Sequence, residues 1–384
     1  MDCKMVELGT LIKQAKTVYC GNNDYPVLSM TMRSGLVFQD EKFKKVIASN
    51  NRSGYKVVYR NQLVISFPID EGVLAAQRIV DAGIVSPAYG IWDIDQEKVL
   101  PEFLEYTLRC PRSISYYKAK LRGSTARRRS LPTSTLLEYT VPLPSIEAQE
   151  HILDLIHRAG NVVALRKQEL ERLDDLVKAR FVEMFGDYLK DDRRPLSEVA
   201  IITGGLTKNS NRNTFETKMP YLRVANVFYN RLDLREILEI GVKEEEIEKT
   251  LLQAGDLLFV EGNGSIEQIG RVAIWDGSID PILHQNHLIK ARFNNEIIAP
   301  EYALFYFMLQ DGRQQIISKS VSTSGLNTLS VNKVSSLLLP IPPITLQKQF
   351  GEFVKQTDKS KVVIQKALDE AQLLFDSLMQ QYFG

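Results

Sequence analysis

The chain has 384 residues, of which 44% are apolar and 25% are charged, with 48 Lys and Arg against 47 Asp and Glu. This length is enough for two or three domains, and the composition excludes a disordered or fibrous protein. No stretch reaches the roughly 20 apolar residues of a transmembrane helix, and MDCKMVELGTLIK at the start lacks the apolar core of a signal peptide. With three widely spaced cysteines, these features predict a cytoplasmic protein with no membrane partner.

The first part of the sequence alternates short strand-forming runs with polar loops. YKVVYR and LVISFPI are rich in the β-branched and aromatic residues of strands, and LPEFLEYTL (100–108) precedes a basic segment. That segment, residues 107–133, holds eight Lys and Arg and no acid, which favours binding of a polyanion at one face of the protein. Tyr116 and Tyr117 lie within it and could stack on a base, but we expect them in the core.

A helical segment follows VPLPSIEAQEHI (141–152). Ser145 is a good N-cap, and apolar residues then recur at helical spacing as far as Phe185. Gly160 is expected to divide the segment into a short helix and a long one over about 161–185. Gly186 is a plausible C-terminal stop.

The second part repeats this organisation after a polar linker. LLFVEG, RVAIWD and LIKARF are typical of strands, with polar loops at 204–218 and 318–328 and a long helix over about 359–383. Motifs for catalysis are missing: EGNGSIEQIG does not match a cofactor-binding glycine loop, and His284 and His287 lack neighbouring metal ligands. The sequence therefore favours binding over catalysis, with no metal and no cofactor in this chain.

An internal repeat with an offset of 198 residues connects the two parts. Pro142, Pro144, Ile146 and Gln149 recur as Pro340, Pro342, Ile344 and Gln347, and Phe185-Gly186 recurs as Phe383-Gly384. The repeat predicts an α/β protein with two mixed α/β domains separated by two long helical segments. Because each long helix needs a partner for its apolar stripe, we expect the two to pair as an antiparallel coiled coil with pseudo-twofold symmetry.

Several tracts, taken in order, resemble the DNA-specificity subunit of type I restriction-modification systems. The second part carries PYLRVANVFYNRLDL, GDLLFVEGNGSIEQIGRVAIWDG, HQNHLIKAR and LLLPIPPITLQKQF, and the first part carries GIVSPAYGIW, PEFLEYTLR and VPLPSIEAQEHILDLI. The resemblance implies four segments: a first target-recognition domain (1–143), a central helical spacer (144–189), a second target-recognition domain (190–341) and a C-terminal helical spacer (342–384).

The same resemblance implies the partners. Each target-recognition domain would read one half of a split, asymmetric site in double-stranded DNA, and the paired helices would dock two modification subunits. Those subunits would carry the adenine methyltransferase chemistry with S-adenosylmethionine, and a restriction subunit would supply ATP- and Mg²⁺-dependent translocation and cleavage. The first unit has STARRRSLP where the second has STSGLNTLS, which predicts different half-sites.

Candidate DNA-contacting residues are loop and helix-end donors able to reach bases or phosphates. In the first domain they are Arg33, Lys118, Lys120, Arg122, Thr125, Arg127, Arg128 and Arg129. In the second they are Lys208, Asn211, Arg212, Arg223, Asn226, Arg231, Lys319, Thr323, Ser324 and Asn327.

Two other interpretations stay open at this point. A free-standing DNA-binding regulator would share the basic loops but need no methyltransferase partner. A protein-interaction scaffold would use only the helix pair, and a salt-dependent DNA-binding assay separates it from the others.

Overall fold

The computed structural model describes residues 4–32, 34–42, 52–121, 131–190, 193–323 and 326–384. The chain divides into two compact units, unit 1 with Met1–Arg166 and Ala367–Gly384, and unit 2 with Lys167–Lys366. In this division each unit contains one globular part and a portion of both long helices. The four segments predicted from the sequence, by contrast, place the long helices in spacers separate from the two domains. None of the described helices has both the length and the apolar character to cross a membrane.

Unit 1 is built on short strands. They are β1 (Lys4–Glu7), β2 (Ile12–Gln14), β3 (Leu28–Thr31), β4 (Gly35–Phe38), β5 (Lys56–Tyr59), β6 (Leu63–Ile65), β7 (Leu74–Ala76), β8 (Ala82–Val85), β9 (Gly90–Ile94) and β10 (Thr140–Leu143). The main sheet has the order β2-β9-β6-β7, and β1 pairs with β10, β3 with β4 and β5 with β8. All of these pairings are antiparallel.

The helices of unit 1 cover this sheet. They are α1 (Gln39–Lys42), α2 (Pro101–Arg109), α3 (Pro111–Lys120) and α4 (Thr133–Leu137), followed by the long helix α5 (Ile146–Phe185). Proline at the first position of α2 and of α3 fits a site where no backbone N–H is needed. Phe103 and Leu108 of α2 are buried against Trp92 of the sheet and form one core with it.

Helix α5 corrects the expectation of a break at Gly160. The helix is continuous for 40 residues, about 60 Å at ~1.5 Å per residue, and it begins directly after Ser145, whose hydroxyl accepts a hydrogen bond from the N–H of Ala148 at 3.3 Å. A Cβ at Gly160 would lie 3.4 Å from the ring of Phe375. The glycine therefore marks a close approach between helices, and its helical neighbours on both sides keep it in the helix.

Unit 2 has more strands, again short. They are β11 (Arg193–Pro195), β12 (Ala200–Gly204), β13 (Lys218–Leu222), β14 (Val227–Phe228), β15 (Arg231–Leu232), β16 (Leu238–Gly241), β17 (Leu257–Val260), β18 (Gly262–Asn263), β19 (Val272–Ile274), β20 (Leu283–His284), β21 (Leu288–Phe293), β22 (Val321–Thr323), β23 (Leu326–Thr328) and β24 (Leu338–Pro340). Its helices are α6 (Leu196–Val199), α7 (Glu244–Thr250), α8 (Pro300–Met308), α9 (Gln310–Lys319), α10 (Val331–Ser335) and the long α11 (Ile344–Phe383).

The architecture of unit 1 recurs in unit 2, as the sequence repeat predicts. The sheet order β12-β21-β17-β19 matches β2-β9-β6-β7, and the pair β11-β24 matches β1-β10. The succession α8, α9, α10, β24, α11 likewise matches α2, α3, α4, β10, α5. Beyond these shared elements, the described residues of unit 2 form the sheets β16-β13-β20, β14-β15 and β18-β23-β22, and those of unit 1 form β3-β4 and β5-β8.

The long helices pack antiparallel within each unit. In unit 1, Ile152 near the start of α5 shares a core with Phe383 at the end of α11. In unit 2, Phe181 near the end of α5 packs on Phe350 near the start of α11, with ring centroids 5.4 Å apart. The prediction of two mixed α/β domains with antiparallel paired helices is confirmed.

A buried glutamine fixes the first turn of each long helix to its own unit. The Oε1 of Gln149 accepts from the Leu100 N–H at 2.8 Å, and its Nε2 donates to the carbonyls of Lys98 and Pro144 at 3.0 and 2.9 Å. This amide is fully buried, and its partners lie on the segment before α2 and on the residues before α5. These hydrogen bonds explain why Gln149 is repeated at an offset of 198, because the glutamine fixes the position at which the long helix leaves its domain.

Gln347 makes the same three contacts in unit 2. Its Oε1 accepts from the Ala299 N–H at 2.9 Å, and its Nε2 donates to the carbonyls of Ile297 and Pro342 at 3.0 and 2.8 Å. It is also fully buried. Since the two glutamines bind equivalent backbone groups, both copies use one geometry to join helix and domain.

Candidate nucleic-acid interface

In unit 1 the described part of the basic segment is helix α3. Lys118 and Lys120 are exposed on its last turn, directly before residues 122–130. Arg122, Thr125, Arg127, Arg128 and Arg129 lie outside the described residues, as does Arg33. The two lysines present unshielded positive charge at the end of α3, and DNA contact by them stays a prediction.

The opposite face of α3 is held by buried polar contacts. Ser113 donates to the carbonyl of Thr107 at 2.6 Å and lies 2.8 Å from the hydroxyl of Tyr139. Tyr117 is fully buried, and Tyr116 packs on Tyr139 in a tilted arrangement with ring centroids 4.4 Å apart. Burial raises the pKa of the Tyr117 phenol. The two tyrosines therefore belong to the core, as expected, and the lysines face solvent because the other side of the helix is fixed.

In unit 2, the segment that corresponds to the end of α3 leads into a small sheet. Helix α9 ends at Lys319, and the following strands β22 and β23 pair with each other and with β18. Thr323 ends β22, Ser324 lies outside the described residues, and Asn327 is buried in β23. In unit 2, β23 of the predicted contact segment is thus paired with β18, the strand that follows β17 in the chain.

Arg212, a predicted DNA contact, is instead buried in an ion pair within its own unit. Its guanidinium is buried and donates to both carboxylate oxygens of Glu246 at 2.8 and 3.0 Å, and to the carbonyl of Gly241 at 3.0 Å. The hydrogen bonds from Arg212 hold the pKa of Glu246 below its ordinary value. Lys208 and Asn211 on the same loop are exposed, so the loop offers those two side chains to a partner while Arg212 fixes it.

Asn226 and Arg223 also hold their own loop. The buried amide of Asn226 accepts from the N–H of Arg223 at 2.8 Å and donates to the carbonyls of Asp233 and Glu236 at 2.8 and 3.0 Å. The guanidinium of Arg223 pairs with Glu236 at 2.7 Å. Both side chains therefore shape the segment from residue 223 to 236, which carries Arg231 to an exposed position.

Two arginines near Arg231 are not indicated by the sequence. Arg271, the residue directly before β19, lies over the ring of Phe228, as Arg231 does. Arg313 of α9 lies over Tyr229 and donates to backbone carbonyls of the 266–269 loop. Neither stands out in the sequence, since one opens an apolar strand and the other sits in an amphipathic helix. Only the tertiary fold brings them to Phe228 and Tyr229.

The two histidines of the second part have separate structural contacts. His284 is fully buried and donates through Nδ1 to the carbonyl of Thr250 at 2.8 Å, and burial lowers its pKa to about 4. The Nδ1 of His287 lies 2.8 Å from the carboxylate of Glu261. Within the described ranges, no group of three or more His, Cys, Asp or Glu side chains could hold a metal ion.

The long helices expose apolar side chains in both units. In unit 1 these are Val162, Leu165, Leu373 and Leu374, and in unit 2 they are Leu176, Val182, Val362 and Val363. Val362 and Val363 are 71% and 69% exposed, which is unusual for neighbouring valines on a helix whose other face is packed. Each unit therefore presents apolar helix surface with no cover from the described chain.

Comparison with known proteins agrees with this organisation. Residues 192–372 match the family described as type I restriction modification DNA specificity domain. Over 186 residues, 48% of the chain, the sequence is 29% identical to the putative type I restriction enzyme MjaX specificity subunit of Methanocaldococcus jannaschii, covering 43% of that protein. Over 166 residues, 42% of the chain, it is 29% identical to the EcoKI specificity subunit of Escherichia coli strain K12, covering 35% of that protein.

The match to these two curated relatives thus spans less than half of their length. The fold extends further: the crystal structure of the type I restriction-modification system S subunit from M. genitalium superposes with a TM-score of 0.53 at 14% identity. That superposition covers 100% of this chain and 96% of the other. The second half of the chain is thus similar to the DNA specificity domain of type I restriction-modification systems, and the chain as a whole is similar in fold to one specificity subunit.

Proposed function

We propose that this chain is the non-catalytic, DNA-reading subunit of a cytoplasmic type I restriction-modification complex. Each unit reads one half of a split, asymmetric site in double-stranded DNA. The chain holds no cofactor of its own. S-adenosylmethionine belongs to the modification subunits, and ATP and Mg²⁺ belong to the restriction subunit.

The observation that carries this proposal is the duplicated architecture. The same sheet order and the same succession of helices occur twice, while the segments that follow α3 and α9 differ in sequence, ARRRS against SGLNT. A repeated scaffold with different loops suits a protein that reads two different half-sites, because the scaffold fixes position and the loops supply base contacts.

The helix surfaces support docking of two modification subunits. Two identical partners require two similar surfaces, and each unit exposes apolar residues on α5 and α11. Exposed apolar surface on a packed helix pair is the kind of patch that a partner helix covers.

The decisive experiment is to co-express the chain with its modification subunits and to map methylated adenines across the host genome. The expected result is one methylated adenine per strand within a site of two specified parts and a gap of fixed length. A contiguous site, or no methylation, would contradict the proposal.

A second measurement tests the basic end of α3. Replacing both Lys118 and Lys120 by Gln should lower DNA affinity and reduce the slope of log K against log salt, by about 0.9 for each phosphate that is no longer neutralised. Lys98→Gln is the matched control, since Lys98 is exposed in the same unit but paired with Asp95 at 2.7 Å. Equal effects of the two changes would remove α3 from the interface.

The free-standing regulator remains the rival function. It predicts that the chain alone binds one specific sequence at full affinity and does not co-purify with a methyltransferase. The apolar helix surfaces favour the subunit instead, because a protein acting alone has no use for two uncovered patches.

A further inference from the structure

The hairpin of β14 and β15 carries an aromatic ring with two guanidinium groups against it. The Cζ of Arg231 lies 4.7 Å from the centroid of the Phe228 ring, and the Cζ of Arg271 lies 5.3 Å from it. A guanidinium over a ring gains attraction from the electron-rich face and keeps its N–H groups free at the edges. Two such cations at one ring repel each other unless an anion lies between them.

Neither arginine has a carboxylate partner among the described residues. The side chain of Arg271 reaches only the amide oxygen of Gln268 at 3.3 Å and the carbonyl of Val224 at 3.4 Å, and its Nε–H is buried without a hydrogen bond. Burial lowers the pKa of Arg271, because part of the guanidinium is removed from water. Arg231, by contrast, is exposed.

The carboxylate of Asp233, which lies near Arg231, is already paired with another arginine. Asp233 accepts from the guanidinium of Arg235 at 2.5 and 2.9 Å. The pKa of Asp233 falls to about 2, first through the hydrogen bonds from Arg235 and to a smaller extent through the charge of Arg231. Arg235 is therefore paired with Asp233, whereas neither Arg231 nor Arg271 has an ion pair with a carboxylate among the described residues.

The surroundings hold the pair in place. The hydroxyl of Tyr229 donates to the carbonyl of Glu267 at 2.5 Å, and Arg313 donates to the carbonyls of Ile266 and Glu267, both at 2.9 Å. The Tyr229 contact ties the β14–β15 turn to the loop before Arg271, and the Arg313 contacts tie α9 to the same loop. A site with fixed donors loses less entropy on binding than one with mobile side chains.

We propose that Arg231 and Arg271 together bind one backbone phosphate of DNA, with Phe228 as the platform that orients both guanidiniums. Arg–phosphate pairs form parallel N–H···O bonds, and a phosphate supplies the negative charge that the two cations lack. Arg313 and Tyr229 act as positioning residues for this site. The inference rests on the proposed function, because it assumes that DNA lies along unit 2.

The test uses the full chain in complex with its modification subunits and a duplex carrying its methylation site. Arg231→Gln should weaken binding about 10-fold, roughly 1.4 kcal/mol, and reduce the salt slope by about one. Arg235→Gln is the matched control on the same loop and should change neither. Thermal unfolding of each variant shows whether the fold is intact.

A double-mutant cycle separates one shared phosphate from two separate contacts. If both arginines hold the same phosphate, Arg271→Gln costs much less in the Arg231→Gln background than alone. Additive losses, or an Arg231→Gln variant that binds as the wild type does, would overturn the site while leaving the proposed function intact. Absence of DNA binding by the wild-type complex would overturn both.

Discussion

Replacing Gln347 by Leu tests whether the buried amide joins α11 to unit 2. Leucine has a similar volume but neither accepts from Ala299 nor donates to Ile297 and Pro342, so it forms none of the hydrogen bonds of 2.9, 3.0 and 2.8 Å. A net contribution of about 1 kcal/mol for each bond gives a decrease of about 3 kcal/mol in the free energy of unfolding. That is a large fraction of the roughly 5 to 15 kcal/mol typical of a domain.

The assay is urea unfolding followed by circular dichroism, with Gln349→Leu as the control. Gln349 lies two residues further along the same helix and is exposed, so its replacement should change the free energy of unfolding by less than about 0.5 kcal/mol. Gln149→Leu should cost unit 1 as much as Gln347→Leu costs unit 2, because its three contacts are equivalent. Equal midpoints for Gln347→Leu and Gln349→Leu would refute the reasoning.

Three further outcomes are expected. Gly160→Ala should raise the free energy of unfolding by about 0.5 to 1 kcal/mol in urea titrations, since alanine favours the helix and its methyl group would lie at an ordinary 3.4 Å from Phe375. Hydrogen bonds from Arg212 lower the pKa of Glu246, so this pair stabilises the protein above pH 4.5, the ordinary pKa of Glu246. The stabilisation is lost as the pH falls through the lower pKa of the folded state. Glu246→Gln should therefore make the free energy of unfolding less dependent on pH over this range. Val363→Lys should leave the unfolding midpoint unchanged but reduce the amount of modification subunit that co-purifies with the chain.

Much of the architecture can be predicted from the sequence because the internal repeat indicates which elements occur twice. Pro144-Ser145 marks the start of α5, and the matched Pro342-Pro343 precedes α11. The common register of the two copies predicts two similar domains and two helices, and the need of each apolar stripe for a partner predicts that the helices pair. The sequence predicts a first long helix that is too short, because a glycine at position 160 indicates a break, whereas the ring of Phe375 from a distant part of the chain explains this glycine.

The candidate site is harder to predict, since the role of a polar side chain depends on neighbours that the sequence does not reveal. Arg212 and Arg231 look alike in sequence, each in a polar stretch of the second domain. Arg212 meets Glu246 of α7 and is buried, while Arg231 meets Phe228 and stays exposed. Arg271 shows no signal at all, because its neighbours in RVAIWD are strand formers.

The contrast between what the two copies share and what they do not share indicates how the molecule divides its tasks. Gln149 and Gln347 bind equivalent backbone groups and set where each long helix leaves its domain, so a change there would alter both stability and the direction of the helix. Outside the shared sheet, the described part of unit 1 forms the two-stranded sheets β3-β4 and β5-β8, whereas that of unit 2 forms β16-β13-β20, β14-β15 and β18-β23-β22. Variation is thus concentrated in elements outside the shared sheet and helix succession, where a new contact to DNA can arise without disturbing the junction between helix and domain.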